Sequence, residues 1–172
     1  MIEAATVAAW LLAHPAWIDR DLTREEREPI VLRYAEAAVT ETRSVVELQM
    51  LLAHGYAETK FAALVLTGKC SEMPAGQRCD NGKARGAYSL HEAACPEAYR
   101  WPAASVESIR AETRCAVSLL HFHAHRCREH TLTPLMAAFA GMGGTCHSNR
   151  AGERVMLMRR IGAELLKAEA KQ

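Results

Sequence analysis

Glu58 is a carboxylate at an unusual position, because the residues spaced around it as one face of a helix are mostly apolar. The positions three, four and seven residues away share its face. They are Leu51, His54, Gly55, Phe61 and Ala62. A carboxyl group against apolar surface loses the water that stabilises its charge and stays protonated to higher pH. Such a group can donate a proton to a leaving group, which is what cleavage of a glycosidic bond requires.

Asp80 is the best candidate for a second carboxylate. Glycoside cleavage also needs a group that stabilises or traps the oxocarbenium-like centre. Asp80 lies in the run Asp80-Asn81-Gly82, within a polar loop predicted over 68–85, and this loop could bring it across a cleft from Glu58. The same run is a plain turn signal, and a small hairpin is expected there. A purely structural role for Asp80 therefore stays open.

The elements that must position these residues are mainly helices, as apolar periodicity and capping residues indicate. The first predicted helix ends near His14. The others run from Thr23 to about Ala38, from Ser44 to about Leu66, from Ser105 to beyond Ala124, from Thr133 to Gly141, and from about Ala151 to Lys167. We therefore predict a mainly α fold with a small loop or hairpin lobe beside the cleft. Residues 1–42 form N-terminal helices that pack on a domain spanning 43–172.

Composition favours one compact domain and excludes several classes of partner. The chain has 172 residues, of which 49% are hydrophobic and 24% charged, and a formal net charge of +1. This balance predicts no nucleic-acid binding, and no apolar run approaches the roughly 18 residues of a membrane span. The run Val7–Leu12 is too short and too weakly flanked to predict a signal peptide. No cofactor is predicted.

Six cysteines in a chain of this size indicate disulfide bonds. No two of them have the CxxC spacing that a zinc site or a thioredoxin-like redox motif would favour. Cys115 and Cys127 lie on one predicted helix, about 18 Å apart at 1.5 Å per residue, so they cannot pair. Cys70 and Cys79 flank a loop and are expected to join. The preferred set is then Cys70–Cys79, Cys95–Cys115 and Cys127–Cys146. Six reduced thiols in a cytosolic protein are the alternative.

The histidines of the run His121-Phe122-His123-Ala124-His125 resemble a metal cluster only superficially. His121 and His125 share a helical face, but no acidic residue completes an HExxH motif. No metal site is predicted.

Four segments, in order, resemble the motifs of soluble lytic transglycosylases and goose-type lysozymes, over roughly residues 43–145. Glu58-Thr59-Lys60-Phe61 resembles the E-S-x-F motif around the catalytic glutamate. The segment 82–90, Gly-Lys-Ala-Arg-Gly-Ala-Tyr-Ser-Leu, is similar to G-A-x-G-L-M-Q-I. The helix with Arg110 and Cys115 stands where the family has a structural helix. The segment 138–143, Ala-Phe-Ala-Gly-Met-Gly, is similar to A-Y-N-A-G.

The resemblance implies a lysozyme-like fold and site residues. Glu58 would be the acid and then the base, and goose-type lysozymes use loop aspartates where Asp80 lies. Other residues would line the sugar cleft or let backbone approach it: Gly86, Tyr88, Ser89, Phe139 and Gly141. Ser89 replaces a family glutamine, Phe139 a family tyrosine and Ala140 a family asparagine.

The function that this resemblance implies is cleavage of peptidoglycan glycan strands at the β-1,4 bond between N-acetylmuramic acid and N-acetylglucosamine. Hydrolase and transglycosylase chemistry both stay open. Disulfides without a signal peptide favour a site of action outside the cytosol, extracellular or periplasmic, as for a phage endolysin or a virion-associated protein, or for a bacterial protein whose leader was trimmed. The alternative is a non-catalytic structural or glycan-binding protein, for example in a phage tail, which the replacements favour.

Overall fold

The described part of the chain is mainly helical, with one small two-stranded sheet, so the predicted fold class is confirmed at this level. The computed structural model describes residues 2–70, 79–127, 136, 146 and 150–171. Its helices are α1 Ala4–Ala13, α2 Arg24–Glu41, α3 Val45–Thr59, α4 Ala63–Leu66, α5 Cys79–Gly82, α6 Val106–Cys127 and α7 Ala151–Glu169. Two 3-10 turns cover Trp17–Asp19 and Ala98–Arg100, and the strands are β1 Ala84–Arg85 and β2 Leu90–His91.

Side-chain caps fix where the long helices begin. Thr23 and Glu26 form a reciprocal capping box at the start of α2, with hydrogen bonds of 2.7 and 3.3 Å. The Ser44 hydroxyl accepts from the Glu47 amide at the start of α3, over 3.1 Å. These bonds satisfy amide groups that a helix start otherwise leaves unpaired.

Helix α3 carries the centre of the core. Its Leu51 and Leu52 are fully buried and belong to one apolar cluster with residues of α1, α2, α6 and α7. Residues such as Val7 and Tyr34 show that the N-terminal helices contribute to this same core. The end of α3 is therefore held by packing on several sides.

The prediction of one helix from Ser44 to about Leu66 is wrong, because α3 ends at Thr59. Lys60 and Phe61 have φ values of 50° and 52°, a left-handed conformation that stops a right-handed helix. The reversal returns the Phe61 ring, 4% exposed, onto Gly55, where an added Cβ would lie 2.7 Å from Phe61 Cζ. Burial of this ring offsets the backbone strain of the turn.

The small sheet is a hairpin that follows the Asp-Asn-Gly run. Strands β1 and β2 pair antiparallel, with Ala84 opposite His91 and Arg85 opposite Leu90. Asp80 and Asn81 have φ values of 47° and 56° within α5, so their run forms a tight turn before the hairpin. The loop of the hairpin is instead 86–89, which we call the hairpin loop.

The three predicted disulfides are present: Cys70–Cys79, Cys95–Cys115 and Cys127–Cys146. Their Cα atoms are 5.8, 6.0 and 5.7 Å apart, within the usual range for a disulfide. Cys95–Cys115 ties the segment after β2 to α6. Within the described residues, no helix is both long enough and apolar enough to cross a membrane.

Candidate active site

Glu58 lies in the last turn of α3 and forms an ion pair with Arg154 of α7. The Glu58 side chain is 26% exposed and the Arg154 side chain 5%. The expectation of a carboxyl group surrounded by apolar groups is therefore wrong, since a guanidinium group lies against it and part of it reaches solvent.

Arg154 also contacts His54, one turn before Glu58 on α3. The Nη1 atom of Arg154 lies 2.6 Å from Nδ1 of His54. Because a guanidinium group can only donate, Nδ1 accepts, and the ring proton of a neutral His54 is on Nε2. Burial, and then the positive charge of Arg154, lower the pKa of His54 to about 3. His54 is thus a neutral acceptor that helps to hold a buried cation.

The other partner of His54 is the hairpin loop. His54 forms a hydrogen bond with the backbone of Tyr88, which acts to raise its pKa, and its ring stacks on that of Tyr88 with centroids 6.4 Å apart. With Nδ1 occupied by Arg154, this bond comes from the Nε2 side. A continuous chain of contacts therefore joins the backbone of Tyr88, His54, Arg154 and Glu58.

Thr59 joins the end of α3 to the same loop directly. Its hydroxyl group lies 2.9 Å from the carbonyl oxygen of Ala87 and 3.0 Å from that of Gly55. It also accepts from the Phe61 amide over 3.1 Å. Since the next residue in sequence after Glu58 contacts the loop, the position of the loop and that of Glu58 are linked.

Glu112 of α6 also contacts the hairpin loop. Its carboxyl oxygens accept from the Tyr34 hydroxyl over 2.7 Å and from the Tyr88 amide over 3.0 Å. Burial raises the pKa of Glu112 to about 7, while these hydrogen bonds act to lower it. Gly86 has a φ of 70°, and a Cβ there would lie 1.9 Å from Glu112 Oε2. Only glycine fits this position without displacing the carboxyl group.

Tyr88 is a core residue rather than a cleft residue. It is 1% exposed, and its ring lies edge-on to those of Tyr34 and Phe61, with centroids 6.3 Å away in both cases. Burial raises the pKa of the Tyr88 phenol. The expectation that its ring or hydroxyl lines a sugar cleft is therefore wrong, because aromatic side chains cover it.

Asp80 is exposed and pairs with His91 rather than with a group of the Glu58 site. Its Oδ2 atom lies 3.1 Å from Nε2 of His91, and the two side chains are 57% and 47% exposed. The adjacent Cys70–Cys79 disulfide anchors its turn. This contact links α5 to β2 across the hairpin.

The remaining predicted site residues divide into two groups. Ser89 ends the hairpin loop with a φ of 50° and is half-buried. Phe139 and Gly141 lie outside the described residues, as does the predicted helix from Thr133. A described cavity lies elsewhere, near the start of α3, and its lining includes Val39, Val45 and Leu48.

Sequence reasoning missed Arg154 and Glu112, although a signal existed for both. Each is a charged residue at an apolar-stripe position: Arg154 lies in line with Ala151, Met158 and Ile161, and Glu112 with Ile109 and Ala116. A charge at such a spacing faces the core and requires a partner. The identity of the partner could not be read from the sequence.

No cofactor or metal site is evident around these residues. In the part of the chain that the structure describes, no three side chains of His, Cys, Asp or Glu converge in a way that could hold a metal ion. His121 of the histidine run lies 2.8 Å from Glu47 Oε1. Comparison of the chain with protein-family models, with curated proteins and with solved structures found no match.

Proposed function

We propose that this protein cleaves peptidoglycan glycan strands at the β-1,4 bond between N-acetylmuramic acid and N-acetylglucosamine. Glu58 acts as the general acid on the glycosidic oxygen and then as the general base. The observation that supports this is the contact between Thr59 and Ala87 over 2.9 Å. It brings together the two segments that resemble the first two motifs of the lysozyme-like family, although they are far apart in sequence.

The chemistry needs a proton on Glu58, and the guanidinium group of Arg154 lies against the same carboxyl group. In this proposal, the carboxylate of Glu58 takes up a proton from solvent as the glycan binds and weakens its contact with Arg154. The acid form then protonates the leaving oxygen. In the second step the carboxylate removes a proton from water, giving hydrolysis, or from the sugar 6-hydroxyl, giving a 1,6-anhydro product. Asp80 is the candidate second carboxylate for the hydrolytic route.

The site of action that fits the three disulfides is an oxidising compartment outside the cytosol. We therefore place the activity in the extracellular or periplasmic space, with the protein secreted, released by cell lysis or carried on a virion. Peptidoglycan is the partner in each case, and a larger phage or tail assembly is a further partner in the last.

The deciding experiment is a turbidity or zymogram assay on purified peptidoglycan with wild type and Glu58→Gln. The matched control is Glu36→Gln, an exposed carboxylate on α2. Clearing by wild type and the control, with loss of clearing in Glu58→Gln, is expected. Equal clearing by all three proteins would sink the catalytic assignment. Mass spectrometry then separates the two routes, since anhydro ends exclude simple hydrolysis and reducing ends exclude a transglycosylase.

A non-catalytic glycan-binding or structural role is the second candidate, favoured by the Arg154–Glu58 ion pair. A binding site needs no proton on Glu58, so an ion-paired carboxylate suits it as it stands. Co-sedimentation with insoluble peptidoglycan, without release of soluble fragments by wild type, is the outcome that selects this candidate.

A further inference from the structure

Glu112 is a buried carboxyl group for which the proposed chemistry has no use. It comes from the middle of α6 and is 3% exposed. Its hydrogen-bond partners include the hydroxyl of Tyr34 and the backbone of Tyr88 and Ala87, and none of these is a cation. Burying a carboxyl group without a cation is costly. The segment that Glu112 holds in place therefore indicates the role of this buried carboxyl group.

The group that Glu112 holds is the hairpin loop. One carboxyl oxygen accepts from the backbone amide of Tyr88, and the backbone at Gly86 packs against both oxygens so closely that a Cβ would overlap them. The other oxygen is fixed by Tyr34 of α2. Three separate parts of the fold thus converge on one carboxyl group.

The loop also contacts the helix that carries Glu58. Thr59 contacts the carbonyl oxygen of Ala87, and His54 contacts the backbone of Tyr88. The loop is therefore clamped between the end of α3 and Glu112. A shift of Glu112 would move the loop against the residues that adjoin Glu58.

We propose that Glu112 is a positioning residue of the candidate active site, which fixes the hairpin loop against the end of α3 and so sets the distance between the loop and Glu58. The inference rests on the proposed function only in taking a glycan as the substrate beside that loop. The contact between Glu112 and the loop is independent of any activity, and it is tested separately.

The charge on Glu112 changes near neutral pH, which provides a direct probe of this contact. The groups that face it are Tyr34 from α2, Arg85 and Tyr88 from the hairpin, and Tyr99 from the second 3-10 turn. Burial has the largest effect and raises the pKa of Glu112 to about 7. The positive charge of Arg85 acts to lower the same pKa, by a smaller amount. As a carboxylate it accepts from both partners, and as an acid it can donate to the Tyr34 oxygen while still accepting from the Tyr88 amide.

The first experiment follows the 15N–1H resonance of the Tyr88 amide from about pH 5.5 to about 8.5, spanning the region where a buried carboxyl group can titrate. Wild type, Glu112→Gln and Glu107→Gln are compared, the last being an exposed carboxylate on the same helix. A titration near pH 7 is expected in wild type and Glu107→Gln and is expected to vanish in Glu112→Gln. A titration that is unchanged in Glu112→Gln overturns the proposal. If wild type shows no titration in this range, the amide exchange of the second experiment decides it.

The second experiment separates positioning from stability. Glu112→Leu removes the hydrogen bonds to the Tyr34 hydroxyl and the Tyr88 amide, whereas Glu112→Gln can keep them. Amide exchange at Tyr88 should therefore be faster by about tenfold or more in Glu112→Leu than in Glu112→Gln. On a soluble glycan oligomer, kcat should fall by about tenfold or more in Glu112→Leu, with a smaller change in KM. A misplaced loop is expected to reduce stabilisation of the transition state more than it reduces substrate binding. Unchanged Tyr88 exchange, or equal loss of kcat in both variants, overturns the proposal.

The two proposals fail in different ways. If wild type cleaves nothing, the proposed function fails, while the titration of the Tyr88 amide still decides whether Glu112 holds the loop. If Glu112→Leu does not fold, the titration of the Tyr88 amide in wild type and in Glu112→Gln gives the decision.

Discussion

The guanidinium group of Arg154 donates to Nδ1 of His54 over 2.6 Å. This contact makes a buried histidine the acceptor for a buried cation, and the same cation holds Glu58. The three residues come from two helices, with His54 and Glu58 one turn apart on α3. Glu58, which the sequence places among apolar neighbours, is thus held in position by a polar contact from the last helix.

Replacing Arg154 by Met should destabilise the protein by about 1 to 3 kcal/mol, because Nδ1 of His54 then lacks a donor in a buried site. Clearing of peptidoglycan should fall as well, since the Glu58 carboxylate loses the group that orients it. Arg154→Lys should retain more of both properties, because the cation remains. Urea unfolding and the turbidity assay measure the two effects.

Arg159→Met is the control for this prediction, because Arg159 is exposed on the same helix. Its stability should stay within about 0.5 kcal/mol of wild type. If Arg154→Met behaved like this control in both assays, the positioning of Glu58 by Arg154 would be refuted.

Gly86→Ala should be strongly destabilising, by about 2 to 4 kcal/mol, because the new Cβ overlaps the Glu112 carboxyl group and the backbone φ is 70°. Gly82→Ala is the matched control. Gly82 also has a positive φ, of 82°, but nothing lies within 4 Å of an added Cβ. It should lose only about 1 kcal/mol from backbone strain. Thermal unfolding of the two variants, side by side, separates overlap from strain, and equal losses would contradict the contact with Glu112.

The pH dependence of stability should reveal Glu112. Its folded-state pKa of about 7 lies above the ordinary value of 4.5, so between these values the folded state binds more protons than the unfolded state. The contribution of Glu112 to stability is then fully present below about pH 4.5 and is lost as pH rises through 7. The loss is on the order of 3 kcal/mol.

Glu112→Gln should remove this dependence of the free energy of unfolding on pH. The stability of wild type relative to the variant should therefore fall from pH 4.5 to 7. Urea unfolding at several pH values measures it, with Glu107→Gln as the variant that keeps the slope. Parallel curves for wild type and Glu112→Gln across this range would show that the carboxyl group is not desolvated as the structure indicates.

Thr59→Val keeps the shape of the side chain but removes the hydroxyl that contacts Ala87 and the Phe61 amide. We expect a loss of about 1 to 2 kcal/mol, because the buried partners lose a hydrogen bond. A larger relative loss of glycan cleavage is expected, since the loop then loses its direct hydrogen bond to the residue next to Glu58. Thr59→Ser retains the hydroxyl and should stay close to wild type, and cleavage by Thr59→Val at the wild-type rate would count against the link between loop and site.

The sequence by itself determined the local features of this protein. Capping pairs such as Thr23 and Glu26 marked helix starts, because a cap is made within one turn of chain. Cys70 and Cys79 were expected to pair because they flank a short predicted loop, and their separation in sequence is 9. The break after Thr59 escaped prediction, since the apolar spacing continues through Phe61 and the left-handed turn is favoured by tertiary contacts such as that of Phe61 with Gly55.

Tertiary structure alone decided how the candidate site is held. Arg154 and Glu112 could be recognised as charges on apolar stripes, but their partners lie on other helices and in the hairpin loop. A buried charge must find its partner across the core, and the packing of separate helices determines which group lies within reach. For this reason the sequence indicated Glu58, while the fold supplied the cation beside it and the carboxyl group that fixes the loop.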